Sequence, residues 1–313
     1  MNLIDDILLP GSLWFIMFSM GLSLTLHDFG RIFSNRRALL VGSASMLVIP
    51  PFIGIGIAVL FAPTQPLAVG FVLLATCPGG MLSNLMTDFS KGDLALSLSM
   101  SVGVSFIYIF IVPIYAYAAL HFFMDFSGPV DVPLGGFVWK VFSITLVPVT
   151  LGLLFAHYLA GAAAWLRGKI KLIATIILVS AFIVILIDQI DVLRQNFWVL
   201  FWMTLGANLI VLALAFGVTR LSQLNPRETS AVCIEHMIRQ EGTAIYIAVA
   251  IAGSREMSLP MIMNTPVALV VCIVLVLAMR KYVDRHIATE QLTSTDDGHL
   301  ADGVRPASWP ASR

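Results

Sequence analysis

Between Leu172 and Ile187 the sequence reads LIATIILVSAFIVILI, without one charged side chain. Stretches like it recur from end to end, and together they leave few folds open. An element crossing lipid must satisfy every backbone group internally, so apolar runs of about 20 residues imply spanning helices. Nine such segments are expected: 10–27, 38–62, 66–90, 94–122, 136–159, 170–189, 197–219, 227–253 and 259–280. The composition is 58% hydrophobic and 12% charged, against about a quarter charged in soluble domains. The expected class is therefore an all-α polytopic membrane protein. Formal net charge is zero, which gives no reason to expect a nucleic-acid partner. Cys77, Cys233 and Cys272 lie inside apolar runs without metal-ligand spacing and read as buried thiols.

Charge placement orients the spans. Twelve basic residues collect on one side of the expected topology: Arg31, Arg36, Arg37, Lys91, Arg167, Lys169, Lys171, Arg220, Arg227, Arg280, Lys281 and Arg285. The other side has Arg194 and Arg255, with Asp5, Asp6, Asp125, Asp131 and Asp191. Basic loops stay cytoplasmic, so the N-terminus is expected outside and the C-terminus in the cytoplasm of a plasma (bacterial inner) membrane. No basic leader precedes the first span, so no cleavable signal is expected. Residues 1–288 form the expected transmembrane domain. Residues 289–313 are polar and read as a disordered cytoplasmic tail.

Two spans do not read as straight helices. The third contains CPGGMLSN, Cys77 to Asn84, where Pro78, Gly79 and Gly80 interrupt helical hydrogen bonding in mid-membrane. The eighth contains IEHMIRQEG, with Glu235, His236, Arg239, Gln240 and Glu241 followed by Gly242. Irregular backbone at that depth must be buried in protein or line a cavity. The two breaks hold corresponding places in the two halves of the chain and run in opposite senses. That is the pattern of an inverted-repeat transporter with a midplane site. Ser83 and Asn84 follow the first break, and Ser97 and Ser101 lie on one face of the next helix. Their oxygens, with the Glu235 carboxylate, suit a hard cation such as Na⁺. For the serines alone, helix packing explains as much. An intramembrane carboxylate is functional by default.

These motifs resemble the bile acid:sodium symporter family, of the apical sodium-dependent bile acid transporter type. The likeness rests on CPGGMLSNLMTDFSKGDLALSLSMS, on the segment Glu235 to Gly242, and on FIMFSMGLSLTLHDF near the N-terminus. It implies a core domain rocking against a smaller panel domain. The panel would be 10–27, 136–159 and 170–189; the core would be the other six spans. It also implies uptake of an organic anion and a first sodium site of Ser83, Asn84, Ser97, Ser101 and Glu235. The family's second sodium site falls on Met46 and Arg239, which cannot play that part: Met is a weak acceptor and Arg has no acceptor. The family's substrate-site asparagine falls on Gln240 and the small polar residue after Pro-Gly-Gly on Met81; Arg239 and the half-helix end at Gly80 are expected beside them on charge grounds. The polar residues of the family's last span find no match in PVALVVCIVLVLAM.

An arginine at a cation position has three readings. It replaces the second sodium as a tethered cation by pairing with Glu235, Glu241 or both. It faces the cavity and binds substrate carboxylate. Or a one-residue slip gives Gln240 the family glutamine's role. The expected function is a secondary active transporter of a small organic anion, by alternating access, with sodium coupling reduced to one ion or none. A proton-coupled or facilitated carrier, and a non-transporting sensor or scaffold of the same fold, are the rivals. No enzyme is expected, since no nucleophile–base pair, metal spacing or nucleotide loop occurs. The expected partners are the anion, one sodium ion at most, and lipid.

Overall fold

A computed structural model describes residues 7–22, 36–124 and 134–302. Asp5, Asp6, Arg31, Asp125 and Asp131, residues 23–27 of the first expected span, and 303–313 of the expected tail lie outside them. The described residues are helical, with no strand beyond one isolated bridge. The helices are α1 (Leu9–Gly21), α2 (Arg36–Phe61), α3 (Gln65–Ala75), α4 (Met81–Phe89), α5 (Leu94–Met124) and α6 (Leu134–Tyr158). After these come α7 (Ala160–Asp188), α8 (Ile190–Leu221), α9 (Pro226–Met237), α10 (Glu241–Tyr246) and α11 (Leu259–Asp302). A π-helical turn (Ile247–Ile251) and a 3-10 turn (Glu256–Ser258) link the last two.

Five helices are long and apolar enough to cross a membrane, and six when α5 is counted across its bend. This is an integral membrane protein with an all-α fold. The bend in α5 is 52° and falls between Tyr108 and Phe110. Pro113 lies four residues beyond Ile109, so it cannot donate to that carbonyl and its ring pushes the turn open there. α7 begins ten residues before the expected span. Residues 160–169, AGAAAWLRGK, hold four alanines, the best helix former, and Lys169 Nζ sits 3.6 Å from the Trp165 ring centre. α11 runs on to Asp302, into the stretch whose composition suggests a tail.

α1 packs on α6 and α7, and among the described residues one large apolar core draws buried side chains from every helix but α4, with a smaller one between α8, α9 and α11. Large apolar side chains cover the outside, such as Phe52, Leu172, Ile176 and Val270, as a lipid-facing surface requires. The α1–α6 contact is backbone on backbone. A Cβ on Gly152 would stand 2.9 Å from Leu22 N and 3.0 Å from Gly21 Cα. Gly152→Val is therefore expected to lower the melting temperature of the purified protein, with an overpacking cost of about 1–3 kcal/mol. Gly206→Ala, whose Cβ would meet nothing, is the matched control.

Candidate functional site

Each break has a local cause. α3 starts from a Thr64 cap with Pro66 in its first turn and ends at Ala75. Pro78 has no N–H and rejects helical continuation, so α4 restarts only at Met81. α9 starts from a capping box in which Asn225 and Glu228 each hold the other's backbone N–H at 2.9 Å. It ends at Met237, and Ile238 is extended (φ −97°, ψ 114°). The break therefore falls on 238–240, and Gly242, expected at it, lies inside α10.

The two breaks complete each other. Gly79 and Arg239 form an antiparallel bridge. Gly80 N donates to Ile238 O at 3.1 Å, and Gln240 N donates to Pro78 O at 2.8 Å. Backbone groups freed by leaving the helix would each be costly if buried alone. Here each extended segment supplies the other's partners. Gly79 must be glycine, because a Cβ there would collide with Glu235 Oε2 and approach Met46 Cε to 3.3 Å.

Glu235, fully buried, sits beside this crossing. Its Oε1 accepts from Ser83 Oγ at 2.7 Å, Ser97 Oγ at 2.5 Å and Ser101 Oγ at 3.0 Å. Ser101 Oγ also reaches Oε2, at 3.1 Å. Ser97 is shared with Asn84 Oδ1 at 2.8 Å and with Thr87 Oγ1 at 3.2 Å. All five residues of the first expected ion site thus meet, from α4, α5 and α9. Thr87 joins them unforeseen; its place four residues after Ser83 on α4 was the available signal. The set consists of hard oxygens around one carboxylate and fits a sodium ion chemically.

Arg239 does not reach Glu235 or Glu241. Its Nη1 donates to Ala75 O at 2.8 Å and its Nη2 to His236 O at 3.3 Å. Two physical facts account for the difference. The four-residue spacing from Glu235 would align the pair only in a continuous helix, and α9 ends before Arg239. The last carbonyls of α3 and α9 also lack intrahelical donors and carry the negative end of the helix dipole. Met46, fully buried, offers no side-chain ligand here; its backbone oxygen accepts from Tyr108 Oη at 2.9 Å.

A cavity of about 160 Å³ lies between α1, α5, α6 and the crossing. Met17, Tyr108, Val141, Thr145, Gln240 and Thr243 are among its lining residues, and none of the lining side chains is charged. Ser105, also in the wall, carries a buried Oγ with no hydrogen-bond partner. Of the four expected substrate residues, Gln240 lines this cavity; Arg239 and Gly80 do not, and Met81 is seen only as the first residue of α4. Arg239 instead borders a separate small cavity, with Asn208 and Asn264, on the α2, α3, α8 and α11 side. Glu241, outside that cavity's lining, is held by Asn264 Nδ2 at 2.6 Å and by Thr265 Oγ1. Asn264 and Thr265 escaped the reading of the last span because they stand just before the apolar run that opens at Pro266.

A family model, the Sodium Bile acid symporter family, matches residues 10–196, more than half of the chain. The chain belongs to that family. It is a family of transporters rather than enzymes. The matched residues include the first break and Ser83 to Ser101, and stop before the second break. A "Probable sodium/metabolite cotransporter BASS2, chloroplastic" of Oryza sativa is 33% identical over 146 residues, 47% of this chain and 33% of that protein. The "Uncharacterized sodium-dependent transporter YocS" of Bacillus subtilis is 26% identical over 235 residues, 75% of this chain and 71% of its own. The "Ileal sodium/bile acid cotransporter" of Oryctolagus cuniculus is 26% identical over 187 residues, 59% of this chain and 51% of its own. The match therefore spans a third of the rice symporter relative and about half of the rabbit one.

Proposed function

We propose that this protein is a secondary active transporter of a small organic anion, in which the guanidinium of Arg239 holds the place of one coupling cation. It has nine spans with an outside N-terminus, when α1 and the two broken helices are counted. The spans form inverted repeats. The panel of α1, α6 and α7 rocks against the remaining helices about the crossing, which gives alternating access. Sodium coupling falls to one ion, taken by Ser83, Asn84, Ser97, Ser101 and Glu235. The printed names of the relatives, metabolite and bile acid cotransporters, support an organic anion as the cargo. The uncharged cavity at the crossing supports a substrate with an apolar body, met by the hydroxyl and amide groups of Ser105, Thr243 and Gln240.

The observation that carries this reading is the docking of Arg239 on two helix-end carbonyls. A tethered cation docked there does what a bound ion would do, and it stays charged in a protein. A thermal-shift screen of purified protein against carboxylates, in sodium and in choline, tests it. A ligand that binds the folded state at 100 times its Kd stabilises it by about 2.7 kcal/mol. At least one carboxylate is expected to stabilise the protein in choline, with sodium adding to the effect. Uptake by the reconstituted protein should then show a stoichiometry of no more than one sodium per anion. Complete loss of uptake in choline, with two sodium ions moved per anion, would sink it.

A further inference from the structure

Glu241 opens α10 and is 9% exposed. It belongs neither to the oxygen cluster around Glu235 nor to the lining of the large cavity. Its Oε1 accepts from Asn264 Nδ2 at 2.6 Å and its Oε2 lies against Thr265 Oγ1. Asn208 Nδ2 donates to Asn264 Oδ1 at 2.8 Å, which turns the Asn264 amino group toward the carboxyl. No cationic side chain comes within salt-bridge distance of Glu241 among the described residues.

The charged and titratable groups around it are few. α1, α3 and the π-helical turn contain none. The 3-10 turn contributes Glu256, bound to Thr64 Oγ1 at 2.6 Å, and α11 contributes only Cys272 up to Met279. Cys77 lies in the first break. α8, reaching the group through Asn208, is charged only near its ends, at Asp191, Arg194 and Arg220. That leaves Arg239, two residues away, with its guanidinium engaged by Ala75 O and His236 O.

The surroundings suit a proton better than a metal ion. Asn264 presents N–H, not oxygen, to the carboxyl, so among the described residues Thr265 Oγ1 is the only side-chain oxygen bonded to it. A dehydrated sodium ion needs several oxygens. The Thr265 hydroxyl has one proton and two acceptors in reach, Glu241 Oε2 and Met261 O at 3.1 Å. A proton on Oε2 resolves this: Glu241 donates to Thr265, and Thr265 donates to Met261 O. A buried ionised carboxylate between neutral groups would be far costlier.

We propose that Glu241 is a proton-binding site, protonated while Arg239 is docked on the helix-end carbonyls and ionised when Arg239 turns to pair with it. Arg239, Asn208 and Asn264 border the same small cavity, and Asn264 in turn holds Glu241, so one side chain separates the guanidinium's space from the carboxyl. An arriving cation favours the ionised form, so opening the Gly79–Arg239 bridge would release the proton. Resting on the transporter reading, this makes the crossing a proton-coupled element beside the sodium site.

Infrared difference spectroscopy of the full chain in lipid, in sodium-free buffer stepped in pH, tests this without a substrate. Wild type is expected to show the C=O band of a protonated buried carboxyl at neutral pH. Glu241→Gln should remove one such band; a second band that persists there and disappears in Glu235→Gln belongs to Glu235, whose partners Ser83 and Ser97 also have two acceptors each. Adding sodium chloride should leave the Glu241 band in place. Thr265→Val should shift its frequency, and it serves as the readout if Glu241→Gln does not fold. Absence of any such band in wild type, a spectrum left unchanged by Glu241→Gln, or loss of the Glu241 band on adding sodium would each overturn the proton site. None of these results bears on whether an anion is carried, so the two readings fail separately.

Discussion

Arg239→Gln is expected to melt lower in choline than in sodium by a wider margin than wild type, whose own sodium response comes from the Glu235 cluster alone. The guanidinium supplies donors to Ala75 O and His236 O. Taking them away leaves two carbonyls at helix ends, each costing about 1–3 kcal/mol when buried without a partner. It also removes a positive charge from the negative ends of α3 and α9, whose terminal carbonyls each carry roughly half an electron's worth of charge. Glutamine restores an oxygen that a cation can use, next to the carbonyls the arginine vacated. Sodium should therefore bind and recover part of the loss, by about 1.4 kcal/mol for each tenfold excess over its Kd. The measurement is a pair of melting curves at equal ionic strength, one in sodium chloride and one in choline chloride, for wild type and variant. Equal destabilisation in both salts would mean that Arg239 is a hydrogen-bonding strut and not a stand-in for an ion. Arg239→Lys separates charge from geometry. A lysine keeps the charge but loses the planar fork that reaches two carbonyls at once, so it should lose stability without gaining a sodium response.

How much of this was legible depends on how far each residue's partner lies along the chain. The all-helical apolar class and both breaks could be read because lipid imposes its terms locally: long apolar runs, a Pro-Gly-Gly, a charged cluster in mid-run. The meeting of Ser97 and Ser101 with Glu235 was half legible. Their four-residue spacing is local, whereas their approach to α9 is tertiary. The partners of Arg239, expected among Glu235 and Glu241, were not legible for a definable reason. The register of Arg239 belongs to an extended segment whose hydrogen bonds go to Pro78 and Gly80, not to its own helix. No pattern within 235–242 reports where α9 stops. Asn264 and Thr265 were hidden by what surrounds them, a polar pair at the edge of an apolar run whose partner Glu241 sits across a turn. The start of α7 was missed because Arg167, Lys169 and Lys171 look like a loop, while the alanines before them carry the helix propensity.

Gly79→Ala should have a large effect for a single methyl group, because it strikes the carboxylate and the crossing together. The new Cβ would overlap Glu235 Oε2 and sit 3.3 Å from Met46 Cε. The backbone cannot retreat, since Gly80 N–Ile238 O and Gln240 N–Pro78 O pin it on either side. Glu235 must move instead, which pulls its Oε1 from three serine hydroxyls at once. Hydrogen bonds to a charged group contribute about 1.5–3 kcal/mol each. Even partial loss of the three is comparable with the about 5–15 kcal/mol that holds a typical domain folded. The variant is expected to be recovered in low yield, with a much reduced melting temperature and no stabilisation by sodium. Gly103→Ala, whose Cβ would meet nothing within 4 Å, should be near neutral. The cause can be isolated by shortening the colliding group. Glu235→Asp withdraws the carboxylate by one methylene, so the Gly79→Ala, Glu235→Asp double variant should be more stable than the sum of the single effects allows. A Gly79→Ala protein as stable as wild type, or a double variant whose losses simply add, would mean that Glu235 does not occupy the space against Gly79.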